Sequence, residues 1–127
     1  MEESIRHFKL GDVEAYRVSF NLRNRVWEIV LNWNYLAQST VGTQFVRAVD
    51  SISANLAEGF GRYGKKDKIK FYRIARGSLM EALDWNEKAK VRQLLTVEQY
   101  TYIFTQLQLL PKSINTLIKY TSNSLKE

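Results

Sequence analysis

Residues 44–83, QFVRAVDSISANLAEGFGRYGKKDKIKFYRIARGSLMEAL, decide how this chain folds. In the first half Phe45, Val49, Ile52 and Leu56 recur at the spacing of one face of an α-helix. On the adjoining face Arg47, Ser51, Asn55 and Glu58 follow one another at intervals of four, four and three. A helix beginning near Thr43 should therefore end at Gly59 and Gly61, residue types that tolerate the conformations found at helix ends. After Gly64, a permissible N-cap, Asp67 stands where a carboxylate favours the positive end of a new helix. That helix should continue to about Leu94, with Ile69, Tyr72, Leu79, Ala82, Leu83 and Asn86 lining one arc and Phe71, Ile74, Trp85 and Ala89 widening it.

Two more helices flank this pair. The first is expected from about Asp12 to Trp33, with one apolar stripe of Val13, Tyr16, Phe20, Trp27 and Val30 and a second of Leu22, Val26, Ile29 and Trp33. The stripes lie roughly 135° apart on a helical wheel, so this helix needs two neighbouring surfaces, the bundle core and a second that another subunit could supply. The stretch NYLAQSTVG (34–42) reads as a connection. The last helix opens with TVEQ, where Thr96 and Gln99 match a capping box, and its core stripe is Tyr100, Ile103, Phe104, Leu107, Leu110, Ile114 and Leu117. Pro111 removes a backbone donor from the middle of this pattern, which predicts a kink or break. No strand-like alternation competes. The expectation is an all-α protein, an antiparallel up-down four-helix bundle forming one domain over residues 1–127, with an arm over about 1–11 and a frayed tail over about 121–127.

The composition removes several function classes. With 127 residues and 45% hydrophobic residues, one domain can bury a real core. No apolar run reaches the ~18–20 residues of a membrane span, so no membrane role is expected. The opening MEESIRHFKLGD has no apolar segment of the kind a secretory signal carries. The chain has no cysteine, which excludes disulfides, thiolate metal sites and cysteine nucleophiles and is compatible with the cytoplasm. A single histidine, His7, cannot make a typical zinc site and reads as an exposed arm residue. No catalytic residue, metal or cofactor is assigned.

Charge is unevenly distributed. From Arg62 to Arg76 there are seven basic residues against Asp67 alone. Setting these aside, the remaining twelve basic and twelve acidic residues cancel, so the whole net charge of +6 resides in this segment. A localised positive field favours anionic partners, nucleic acid above all. Lys66, Lys70 and Arg73 are spaced i, i+4, i+7 on one outer face, with Arg62, Lys65 and Lys68 close by. A merely solvating face usually mixes signs, so these six residues are the candidate nucleic-acid surface. Tyr63 could stack on an unpaired base or pack on the bundle.

Arg76 falls within the apolar arc of its helix, where an unpaired guanidinium would cost several kcal/mol. Glu58 is its expected partner, Glu81 a weaker one, and Asn55 and Ser51 could take further donors. Arg47, Ser51, Asn55, Glu58 and Arg76 thus read as a polar clamp between the second and third helices; a catalytic carboxylate–arginine pair is the disfavoured alternative, because no nucleophile or cofactor cradle accompanies it. GFGRYG (59–64) follows a helix rather than a strand and lacks the spacing of a phosphate loop.

QFVRAVDSISANLAEGFGRY and KIKFYRIARGSLMEALDW together resemble the signature of the four-helix bundle proteins related to the 23S rRNA intervening-sequence protein. The matching positions include Gln44, Arg47, Ala48, Ser51, Ile52, Asn55, Ala57, Glu58, Gly59 and Arg62, then Phe71, Ala75, Arg76, Gly77, Ser78, Leu79 and Glu81. Two residues depart from the pattern, Ser53 where many members have proline and Gly64 where Ser or Thr often caps the helix. The resemblance implies an up-down bundle assembled into a homopentameric ring, and neither it nor a related branch is known as an enzyme. That branch, the accessory variability determinants of diversity-generating retroelements, comprises basic rings that associate with a reverse transcriptase and nucleic acid. The expected function is a non-enzymatic, cytoplasmic, oligomeric bundle that binds RNA or DNA as an accessory factor. The alternative is a protein-interaction scaffold whose basic face docks a partner such as a reverse transcriptase.

Overall fold

The apolar periodicity of the sequence is realised in four long helices, seen in a computed structural model that describes residues 9–124. A 3₁₀ turn at Leu10–Asp12 leads into α1 (Glu14–Leu31), and a single helical turn, α2 (Tyr35–Ala37), and a π-helical turn (Gln38–Gly42) lead into α3 (Thr43–Gly61). Helices α4 (Lys65–Val91) and α5 (Val97–Ser124) complete the chain, and there is no strand among the described residues. His7 and most of the expected arm (1–8), with the last residues of the expected tail (125–127), lie outside the described residues.

Each long helix packs on two neighbours, in the cycle α1–α3–α4–α5. Cross-helix hydrogen bonds fix the antiparallel register of α4 and α5: Lys65 Nζ donates to the Ser122 carbonyl (3.1 Å), Arg76 to Asn115 (2.6 Å) and Asn86 to the Tyr100 carbonyl (3.3 Å). One core of Leu22, Val26, Phe45, Ile52, Tyr72, Leu79, Ile103, Leu110 and their neighbours runs the length of the bundle.

Several expectations about boundaries are corrected. Within the stretch 34–42, residues 35–42 are helical, because Asn34 Oδ1 caps the Ala37 amide (2.9 Å) and hydroxyls bond back to carbonyls: Thr40 to Leu36 (2.7 Å) and Thr43 to Gln38 (3.0 Å). Gly42 is needed there, since a Cβ would stand 2.8 Å from Val30 Cγ1. Helix α4 stops at Val91, three residues early, in a Schellman turn: the Gln93 amide bonds the Lys90 carbonyl (3.0 Å) and the Leu94 amide the Ala89 carbonyl (2.9 Å), with Gln93 left-handed at φ 61°. Pro111 does not break α5, which runs unbroken through it. Residues 121–124 continue the helix, with Thr121 buried and its hydroxyl donating to the Leu117 carbonyl (2.9 Å). The Thr96 capping box forms as the sequence predicts, with reciprocal 3.0 Å bonds between Thr96 and Gln99.

The second apolar stripe of α1 needs no second subunit. Leu22, Val26 and Ile29 are buried within the single chain, and the first stripe is largely covered too, because α1 lies between α3 and α5. What remains uncovered is a patch at one end of the bundle, Trp27 and Leu31 (each 54% exposed) with Tyr35 and Leu36. Trp27 and Leu31 help line a groove of about 450 Å3 against Val46, Arg47 and Asp50 of α3.

Candidate nucleic-acid interface

The α3–α4 turn is held by several independent contacts. Gly59 lies against the buried Tyr72, and a Cβ there would come within 2.7 Å of the tyrosine ring and 2.9 Å of the Lys68 carbonyl oxygen. Burial raises the Tyr72 phenol to about 12, a shift that its contact with the Thr121 hydroxyl opposes. Lys68 Nζ donates to the Phe60 carbonyl (2.7 Å), and burial lowers the pKa of this lysine. Arg62 pairs with Glu58 (2.6 Å) while its guanidinium sits 4.7 Å from the centre of the Phe71 ring.

The six residues expected to face nucleic acid therefore divide. Lys65, Lys68 and Arg62 are engaged in fastening α4 to α5, α3 to α4, and the turn to α4, respectively. Lys66, Lys70 and Arg73 are exposed along the outer face of α4, Lys70 with its Nζ 5.4 Å from the centre of the Phe71 ring, and Arg62 is exposed beside them.

The structure adds cations that sequence order does not bring together. On α5, Lys112, Asn115, Lys119 and Ser122 recur at i, i+3, i+7 and i+10, one helical stripe. Asn115 bonds Arg76 and Ser122 bonds Lys65, so this stripe borders α4. Lys112 and Lys119 are exposed. They extend the basic face across the α4–α5 seam, and α5 carries no Asp or Glu after Glu98. Arg76 contributes to the same seam.

The polar clamp is corrected in the same way. Arg76 is half-buried and donates to Asn115 rather than to Glu58, because its position on the wheel turns it toward α5 and away from α3. Glu58 is taken by Arg62, and Glu81 lies 3.5 Å from Trp85 Nε1 on its own helix. Arg47 is exposed at the groove beside Trp27. What remains between α3 and α4 is the bond from Ser78 Oγ to Ser51 Oγ (2.9 Å), with Ser51 backed within α3 by Asn55 Nδ2, which donates to its carbonyl (2.8 Å) and hydroxyl (3.0 Å). Sequence reasoning missed Ser78 here, although its place on α4 opposite Ser51 was a signal.

At the far end, Asn86 is fully buried and its Oδ1 has no hydrogen-bond partner, while Tyr100 donates to Glu87, a bond that raises the pKa of the phenol. Among the described residues no group of three His, Cys, Asp or Glu side chains could hold a metal, and no helix is long and apolar enough to cross a membrane.

Comparison with known proteins fits this architecture. A crystal structure of a protein of unknown function from the S23 ribosomal protein family, from Bacteroides thetaiotaomicron, superposes with a TM-score of 0.73 at 23% identity, covering 83% of this chain and 98% of that one. At that identity the likeness concerns the fold. No curated protein matches the sequence. The family described as 23S rRNA-intervening sequence protein matches residues 11–116, nearly the whole bundle. This chain belongs to the 23S rRNA-intervening sequence protein family.

Proposed function

We propose that this protein is a non-enzymatic, cytoplasmic accessory factor that binds RNA or DNA and works as a homo-oligomer, a ring of five subunits. The observation that carries the reading is the basic face of Lys66, Lys70 and Arg73 on α4, continued by Lys112 and Lys119 on α5. Contacts of such a face with phosphate release condensed counterions and are largely indifferent to sequence. The non-enzymatic part is in keeping with the pairing of Glu58 with Arg62 and of Arg76 with Asn115, so that the two do not form a carboxylate–arginine pair with each other. The uncovered patch around Trp27 and Leu31 supports self-association. Five copies at +6 would carry about +30 on one particle, a strong attractor for polyanions.

A titration of the protein with structured RNA, single-stranded DNA and duplex DNA across salt concentrations tests the binding. The expected affinity falls with salt at a log–log slope of roughly −0.7 to −0.9 per neutralised phosphate, and Lys66/Lys70/Arg73→Glu abolishes binding with helicity unchanged. Absence of binding at low salt would refute the reading in favour of a scaffold whose basic face docks an acidic protein such as a reverse transcriptase.

A further inference from the structure

We infer that the nucleic acid this protein takes is an unpaired strand, and that Tyr63 is the platform on which one of its bases stacks. The inference rests on the nucleic-acid reading above and adds to it the type of strand. Tyr63 is 101% exposed, and it makes no hydrogen bond or ring contact with the other described residues. Its surroundings are nevertheless rigid. On one side Arg62 is held by Glu58 at 2.6 Å and lies over Phe71, and its amide bonds the Gly59 carbonyl (3.1 Å). On the other, Gly64 accepts the first amide bond of α4, from Lys68 (3.0 Å), and Lys68 Nζ ties the helix back to Phe60 (2.7 Å). Gly59 adds a close backbone contact with Tyr72 that excludes even a methyl group. A turn fixed on both flanks thus presents one aromatic ring to solvent.

Position gives this ring its meaning. Lys66 follows it by three residues, and Lys70 and Arg73 extend from there along α4. Successive members of that row are separated by about 6 and 4.5 Å along the helix axis, a line of cations that a phosphate backbone can follow. A strand whose phosphates follow the row can lay a terminal or splayed base on Tyr63. In a duplex every base face is already stacked except at the two ends, so along its length the ring would have nothing to receive. Base–aromatic stacking tolerates any base, in keeping with the absence of a base-reading motif. Because the turn is already ordered, little conformational freedom is lost when a base arrives.

The test is fluorescence anisotropy with a labelled thymidine 12-mer, the same backbone without bases, and a 12-base-pair duplex closed at both ends by abasic linkers, using wild type, Tyr63→Phe, Tyr63→Ala and Lys66/Lys70/Arg73→Glu. Tyr63→Ala should weaken the thymidine strand by about tenfold or more while leaving the abasic strand and the duplex unaffected, and Tyr63→Phe should bind as wild type does. Circular dichroism should be the same for all four proteins. If Tyr63→Ala binds the thymidine strand as wild type does while the triple variant loses it, the stacking inference is overturned and the basic face stands. Tighter binding of the duplex than of the strand would also overturn it. Failure of wild type to bind any of the three would remove the nucleic-acid reading and this inference together.

Discussion

At the scale of single residues, burial decides which side chains can act. Tyr72 is 1% exposed, and its phenol keeps its proton to about 12, whereas the unfolded chain releases it near 10. Between those values the folded state binds more protons than the unfolded one, so stability falls as pH rises; below pH 10 the phenol adds no pH dependence. Urea unfolding at pH 9 and pH 11 should show the advantage of wild type over Tyr72→Phe shrinking by about 1 kcal/mol at the higher pH. An unchanged difference would mean that the phenol is solvated. The sequence made Tyr72 legible as a core residue because it lies in the middle of the α4 arc. It misplaced Arg76 because that residue lies at the edge of the same arc, where a one-dimensional pattern cannot separate the core from the neighbouring helix. Lys112 and Lys119 were illegible for another reason: each is isolated in sequence, and only antiparallel packing brings them beside the α4 cations.

At the scale of elements, helix ends were readable where a paired side-chain signal writes them and unreadable where the backbone or an ambiguous residue type does. Thr96 and Gln99 announce the start of α5, and the reciprocal bonds are there. The end of α4 carries no glycine, so periodicity overran it to Leu94. The chain turns nonetheless, with Gln93 in the left-handed region at φ 61°. An L-residue with a Cβ is disfavoured there by about 1 kcal/mol relative to glycine. Gln93→Gly should therefore raise the free energy of unfolding by up to about 1 kcal/mol in a denaturant titration, and a loss of stability would show that the glutamine makes compensating contacts. The 34–42 segment was unreadable because its helicity depends on Asn34, Thr40 and Thr43 bonding locally. Each of those residue types is equally at home in a loop.

At the scale of the molecule, the fold was legible almost entirely: four amphipathic segments with short connections admit few arrangements other than the antiparallel cycle observed. The two stripes of α1 are what a bundle with two neighbours per helix requires, and they carry no information about assembly. Trp27 and Leu31, each 54% exposed, are the apolar surface that α1 leaves for the proposed self-association. Light scattering should give a mass about five times that of one chain, and Trp27→Glu with Leu31→Glu should reduce it to one chain without loss of helicity. A wild-type protein that scatters as a single chain would refute the assembly.

The antiparallel cycle places the α3–α4 turn, the start of α4 and the end of α5 at the same end of the bundle, so the basic face begins at that end and runs toward the middle, where Arg76 meets Asn115. A body whose net positive charge is displaced from its centre carries a dipole as well as a net charge. In the field of an approaching polyanion it experiences a torque before any atom touches, and the basic end swings forward. Collisions that begin in the wrong orientation are thereby corrected in flight, so the association rate should fall with ionic strength on the scale of the Debye length, about 10 Å at 0.1 M.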